Sequence, residues 1–435
     1  MRVLKWVVGV FIVVFVGFAV SWLVFMPNSA ERGVWVHEAN GRVLSLGYFR
    51  ANIYHQTAAG CVPTMSFPAH MALVKAIESA WIEVENDQLA LHIDGYLAPA
   101  IYARADTLPE ACNNPIKDTP ALTFGAMWAT MNEHYPFFEL HGVNWNERRA
   151  LAPENTATDT ELYEAIKTAL TGLDDGHLQL ITDEHGYFSP RFAPEWMPEP
   201  ALKRSALTQI ARDNIGITLT PIENTGLEYG IREDGIGYLL ITRMSTQPGF
   251  NQLSTSLARE SFARVAAALA DADAIIIDVR YNPGGDDATA FAFAGHLTDT
   301  PVLALRKRTR MGGGWTEAIE ATVQPLTPRL DQPIILLTSD LTSSAAEIFT
   351  MALREMPQVI VMGENTGGRL SDILDTTLPN GWHFGLSNQD YRTPDGSAFE
   401  GRGLPPDIRI ETDAQALVQG ADVVLEAAIA HALKF

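Results

Sequence analysis

Apolar and polar positions along this chain follow two rhythms. Between residues 33 and 104, short and partly alternating runs at Gly33–His37, Arg42–Leu46, Arg50–Tyr54 and Ala90–Ile93 are separated by Gly, Asn and Asp. A period of two between turn residues predicts the strands of a small β-rich domain. The stretch from Met71 to Glu85 interrupts these runs with a pattern that fits neither strand nor helix.

The rhythm changes after residues 108–120, a stretch with three prolines, two asparagines and Cys112 that reads as a linker. Thr119-Pro120 is a cap and first-turn pair, and Phe124, Trp128 and Met131 follow at near-helical spacing. A second helix is announced by the capping box Thr158/Glu161 ahead of Leu162, Ile166 and Leu170, with Gly172 as its C-terminal cap. Directly beyond it, Asp174-Asp175-Gly176-His177 puts a histidine on a turn entering the strand-like run Leu178–Ile181.

From Gly235 strands and helices alternate. Tyr238–Thr242, Ala274–Val279, Pro333–Leu337 and Val359–Met362 read as strands; Arg259–Ala270, Ala288–Leu297 and Ala345–Met356 read as helices. Unbroken apolar strands joined by helices predict a largely parallel, doubly covered sheet. Asp422–Leu433 is apolar on one helical face and is expected to pack back on that domain. The expected organisation is therefore an N-terminal apolar segment (1–27), a small β-rich domain (28–107), a helical domain carrying His177 (115–190) and an α/β domain (191–435).

The first segment changes the picture of where the chain works. Arg2 and Lys5 precede a run from Trp6 to Met26 without a charged residue, long enough to span a bilayer. An uncleaved anchor is the favoured reading, with a signal peptide cleaved near Asn28-Ser29-Ala30 as the alternative. Positive charge on the short N-terminal side predicts that residues beyond Pro27 are exported, to a periplasmic or extracellular location in a bacterium. The formal net charge of -21 argues against nucleic acid as a partner. Cys61 and Cys112 are the two cysteines, and in an oxidising compartment a disulfide between them is the natural expectation, with two buried thiols as the alternative. Scattered histidines and the absence of ligand spacing suggest no metal site, and the chemistry below requires no cofactor.

Four short pieces could carry chemistry. Leu341-Thr-Ser-Ser344-Ala-Ala-Glu347 places a serine where a buried strand turns into a helix, so the Ala345 amide could stabilise an oxyanion; the same residues also satisfy a simple capping box. Asp278-Val-Arg-Tyr-Asn-Pro-Gly284-Gly285 ends the apolar strand with two glycines that let backbone approach a substrate, or that merely make a turn. His177 and Glu400, the latter in Phe399-Glu-Gly-Arg-Gly403-Leu-Pro-Pro-Asp407, each read alone as ordinary loop residues.

Together, over residues 119–433, these pieces resemble the serine peptidases that include the C-terminal processing (tail-specific) proteases and the tricorn core. The Ser-Ala-x-Glu run matches Ser344 to Glu347, the upstream Asp-x-Arg-x-Asn-x-Gly-Gly matches Asp278 to Gly285, and Gly363–Gly368 and Gly403–Asp407 resemble the following loops, with Leu404 in place of Val. The resemblance implies a ClpP/crotonase-like βαβ catalytic domain, a peptide or protein substrate, Ser344 as nucleophile, and an oxyanion hole from Ala345 with Gly284 or Gly285. Processing proteases use a lysine as base, but Arg369 stands at the matching position, and no lysine occurs between Lys307 and Lys434. Arginine stays protonated and cannot replace it. Asp-Gly-His177 resembles the histidine motif of the tricorn-like half, so His177 is the expected base, with Glu400 orienting it. Only 57 residues separate His177 from Gly235, and no PDZ pattern is visible there.

Two other readings share this sequence. Relatives on this fold include retinoid-binding proteins, so a catalytically idle ligand-binding protein is one; an esterase-type acyl hydrolase, using the same triad on another carbonyl, is the other.

Overall fold

The computed structural model describes residues 25–191, 197, 203–247 and 254–435. The expected membrane-spanning run therefore lies almost wholly outside the described residues. Among these, no helix is long and apolar enough to cross a membrane.

Seven strands make the first sheet: β1 (Gly33–His37), β2 (Arg42–Leu46), β3 (Arg50–Thr57), β4 (Gly60–Pro68), β5 (Ala80–Glu85), β6 (Gln88–Ile93) and β7 (Ala100–Ala105). They pair in the order β4-β3-β2-β1-β7-β6-β5, antiparallel throughout. The unassigned stretch resolves into a helix, Met71–Glu78, followed by β5. Its ambiguity in sequence has a physical cause: a helix and a strand abut at Ser79, whose φ of 51° makes the corner. Trp35, Leu44, Leu89 and Tyr102 form the core of this sheet.

The expected linker is tied down rather than free. Its short helix, Glu110–Asn113, presents Cys112 to Cys61 of β4, and the two form a disulfide. Both cysteines are buried with Val43.

Next come the helices Pro120–His134 and Asp159–Leu170, the second opened by the predicted Thr158/Glu161 capping box. Thr119 precedes the first helix but makes no side-chain cap; its hydroxyl donates to Asn155 instead. Beyond His177 follow β8 (Gln179–Thr182) and β9 (Gly186–Phe188). This region does not close on itself. Its core takes in Leu374, Leu378, Phe384 and Leu386, and its sheet is completed by strands from residues 373–387.

The central sheet begins with β10 (Thr220–Pro221), β11 (Leu227–Ile231), β12 (Ile236–Ile241) and β13 (Ala274–Asp278). A second layer, β14 (Val302–Met311), β15 (Gly314–Trp315) and β16 (Ile319–Val323), precedes β17 (Ile334–Thr338) and β18 (Val359–Gly363). Then come β19 (Ile373–Thr377), β20 (His383–Ser387), β21 (Gln389–Arg392) and β22 (Ile408–Arg409). Strand order in the central sheet is β10-β11-β12-β13-β17-β18-β22, parallel from β12 onward. β12, β13 and β17 are buried along their whole length, as their unbroken apolar runs require. Helices Thr255–Ala268, Asp287–Ala294 and Ala345–Arg354 cover one face, and Val423–Ala432 covers the other. The α/β architecture expected from the alternation is thus present.

One buried ion network fixes the end of β13. Arg280 reaches Asp278 at 2.6 Å and Asp422 at 2.7 Å, with all three side chains at most 2% exposed. Asp422 also caps the Val423–Ala432 helix through the Leu425 amide. The first positions of the Asp-x-Arg motif therefore clamp a helix from the far end of the chain to the root of the Gly-Gly loop.

Candidate active site

Ser344 sits between β17 and the Ala345–Arg354 helix with φ 56° and ψ −130°, a conformation few non-glycine residues adopt. Such strain, of order 1–3 kcal/mol, persists only where the surroundings impose it. Here they do. Ser343 N–H donates to the Asn282 carbonyl at 3.1 Å, Thr342 Oγ1 to the Val279 carbonyl at 3.0 Å, and Ser344 N–H to the Arg369 carbonyl at 3.0 Å. The capping box that Ser344 and Glu347 suggest is present, but the Glu347 N–H makes its 2.7 Å bond to the Ser344 carbonyl. The Ser344 hydroxyl is therefore not the principal cap, and the side chain remains partly accessible.

Glu347, fully buried, explains why a glutamate follows the serine. Its carboxylate accepts from Thr366 Oγ1 (2.6 Å), Gly368 N–H (2.8 Å), Arg369 N–H (2.7 Å) and Ser344 N–H (3.2 Å). Burial pushes its carboxyl up, and these donors pull it back. The residue ties the Gly-Gly-Arg loop to Ser344.

Gly284 lies against the serine so closely that a methyl group there would come 2.6 Å from Ser344 Cβ. Its own N–H, however, donates to Asn282 Oδ1 at 2.8 Å. Of the two glycines expected as alternative sources of the second oxyanion amide, Gly284 has its amide engaged in fixing the loop. The Gly285 and Ala345 N–H groups have no acceptor among the described residues, and Gly285 is exposed. Two open amides beside a serine at a helix start can stabilise a developing oxyanion.

His177 is buried, and its Nδ1 has no hydrogen-bond partner among the described residues. No direct hydrogen bond joins it to Ser344 among them. Burial lowers its pKa; the charges of Asp175 and Asp372 and the Ser371 backbone act in the opposite direction, and Arg369 reinforces the lowering. Asp175 accepts the His177 backbone N–H at 2.8 Å and the Ser387 hydroxyl at 3.1 Å. Arg369 fills the place a side chain at Gly176 would take, with Cδ 2.4 Å from an added methyl, so any larger residue there would displace the arginine.

Glu400 is buried and faces backbone rather than imidazole: Oε2 accepts from Leu370 N–H (2.9 Å) and Ser371 N–H (3.0 Å). Burial first, then the charges of Asp175 and Glu347, hold its carboxyl well above the usual range. The three expected residues thus meet on one segment. Arg369 bonds Ser344, Leu370 and Ser371 bond Glu400, and the Ser371 backbone faces His177.

A cavity of about 170 Å³ opens beside Ser344. Lys307, Asp286, Asp287 and Asp372 line it, none of them anticipated from sequence. Lys307 is the upstream lysine nearest in sequence to the lysine-free stretch, and here it shares the nucleophile's cavity. Its Nζ is held by Asp372 (2.9 Å) and Tyr391 (2.9 Å), with Asp287 at 3.7 Å. Burial acts to lower its pKa, but those carboxylates outweigh it and raise it, which favours the ammonium form over a free base. Burial and the neighbouring Asp287 and Asp94 push Asp286 up to about 7.

Comparison with known proteins points the same way. Residues 235–410 match Peptidase family S41. A protein named as a CtpA-like serine protease from Staphylococcus aureus (strain COL) is 32% identical over 142 residues, 32% of this chain and 27% of that protein. The corresponding Staphylococcus haemolyticus protein is 31% identical over 140 residues, 31% of this chain and 27% of its own length. The match thus spans about a quarter of these curated relatives. A Parabacteroides merdae protein solved as a candidate peptidase superposes with a TM-score of 0.62 at 25% identity, covering 73% of this chain and 98% of the other.

Proposed function

We propose that this chain, whose residues 235–410 match Peptidase family S41, is a serine peptidase whose nucleophile is Ser344, whose base is His177 and whose substrates are extracytoplasmic peptides or proteins. The observation that carries the reading is the Ser344 backbone, strained at a helix start with the Gly285 and Ala345 amides open beside it. In the reaction Ser344 Oγ attacks the scissile carbonyl carbon and His177 takes the hydroxyl proton. The carbonyl oxygen becomes an oxyanion facing the two amides. His177 then returns the proton to the leaving amine, and water, activated by the same imidazole, releases the acyl group. A lowered pKa suits this role, because the resting imidazole is neutral and free to accept a proton. Glu400 acts as the orienting acid through Leu370 and Ser371, whose backbone faces the base.

The apolar run before Pro27 is proposed to hold the enzyme to a membrane with the remainder outside the cytoplasm. The Cys61–Cys112 disulfide supports an oxidising compartment.

Labelling of the full-length chain in detergent by a fluorophosphonate, read by intact mass, tests the nucleophile. Wild type is expected to gain one adduct, and Ser344→Ala and His177→Ala to lose it. A folded wild type that stays unlabelled overturns the reading.

A further inference from the structure

The first sheet reaches the nucleophile. The turn between β6 and β7 starts with the Tyr96 N–H donating to the Ile93 carbonyl at 3.1 Å, around Gly95 at φ 105°. Both sides of the turn are fastened to the α/β unit. Asp94 accepts the Thr255 N–H and hydroxyl at the start of the Thr255–Ala268 helix. The Gly95 carbonyl accepts the Ala288 N–H at 3.0 Å, three residues beyond Gly285. Leu97 packs into the cluster of Ile348, Met351 and Leu370, on the nucleophile's own helix and the segment that bonds Glu400.

Between these two anchors Tyr96 is 55% exposed. Its exposure is not that of a frayed loop, since the residues on either side are bonded or packed. The ring lines the Ser344 cavity of about 170 Å³ and also two larger cavities, of about 660 and 480 Å³, that flank it. A space of about 150 Å³ holds one benzene-sized group. The nucleophile cavity therefore has room for a single substrate side chain, and the flanking cavities for the chain that continues from it.

We propose that Tyr96 is a substrate-selecting residue, an aromatic wall supplied by the N-terminal sheet that contacts an extended peptide beside the scissile bond. The inference rests on the peptidase reading. It gives the β-rich domain a part in recognition: an aromatic face offers large contact area at low entropic cost. Because Tyr96 bonds no catalytic group, its ring contributes binding that is equal in ground and transition states, and its loss raises KM with kcat little changed.

The experiment compares wild type, Tyr96→Ala and Tyr96→Phe in full-length protein, measuring the fluorophosphonate labelling rate, peptide kcat and KM, and the sites cut in a mixed peptide library. For Tyr96→Ala, labelling by the small reagent is expected to stay within about twofold, KM for peptides to rise at least roughly fivefold, and the residues flanking the cut sites to change. Tyr96→Phe restores the wild-type profile, since the ring and not the hydroxyl makes the wall. An unchanged KM and site profile in Tyr96→Ala overturns the proposal, as does a parallel fall in labelling and peptide turnover, which reports damage to the turn. A wild type that is not labelled at all sinks the peptidase reading itself, and so separates the two failures.

Discussion

Gly284 and Ser344 are in contact so close that no side chain can stand between them: a methyl group on Gly284 would lie 2.6 Å from Ser344 Cβ and 2.8 Å from the Ser343 carbonyl. Gly284 also has φ 106°, a backbone state that disfavours other residues. Gly284→Ala is accordingly expected to push the oxyanion loop away from the nucleophile. Fluorophosphonate labelling should slow by roughly 100-fold, the scale of a lost oxyanion donor. A labelling rate equal to wild type would show that the loop is not part of the site.

The pH profile of kcat/KM bears on His177. On the proposed mechanism activity requires the neutral imidazole, and burial lowers its pKa below the ordinary 6.5. The acidic limb of the profile is therefore expected below pH 6.5, with activity retained as the pH falls through that value. A limb above it would mean that the carboxylates Asp175 and Asp372 outweigh burial.

A pair of histidines away from Ser344 is expected to affect stability rather than catalysis. His55 on β3 and His134 at the end of the Pro120–His134 helix lie with ring centroids 5.4 Å apart, both buried. Burial above all, with His134 and Arg42 beside His55 and His37 beside His134, lowers them to about 3 and about 4. Since the unfolded chain protonates near 6.5 and the folded one does not, the unfolded state binds more protons below that pH and stability falls with acidification. From neutral pH to pH 5 each imidazole should remove about 2 kcal/mol. Urea midpoints at the two pH values should show His55→Gln losing a substantial part of this dependence; an unchanged pH slope would rule the pair out as its source.

Removing Arg280 strands two carboxylates that are at most 1% exposed, Asp278 and Asp422. Breaking a buried pair in this way costs about 3–5 kcal/mol. Arg280→Met is expected to lower the urea-unfolding free energy by that amount. A loss below about 1 kcal/mol would mean that water reaches the carboxylates.

The α/β region was legible because burial on both faces writes itself as unbroken apolar runs, as in Ala274–Asp278 and Ile334–Thr338. Much of the first sheet was legible too, but β4 carries Pro63 and polar Ser66 at its edge, and β7 mixes Arg104 with alanines, so neither shows a clean alternation. The layers built on β14 and on β19–β20 stayed hidden because their partners are far apart in the chain, as when Phe384 of β20 meets Leu180 of β8. Ser344, His177 and Glu400 could be singled out as residues; that they meet on residues 369–371 could not. Lys307 and Tyr96 gave no local signal, since each enters the nucleophile's cavity through a fold-level contact rather than a motif.

That cavity is lined from residues 95–97, 285–287, 307, 344, 371–373 and 375. Closing loops of this length carries an entropic cost that only late, long-range contacts repay. Local helices and hairpins need none of these contacts, whereas the space beside Ser344 exists only where the first sheet meets the segments around residues 286, 307 and 372. A chain still folding would hold Ser344 without the walls of this cavity, so on the proposed peptidase reading competence to cut would arrive together with the native state.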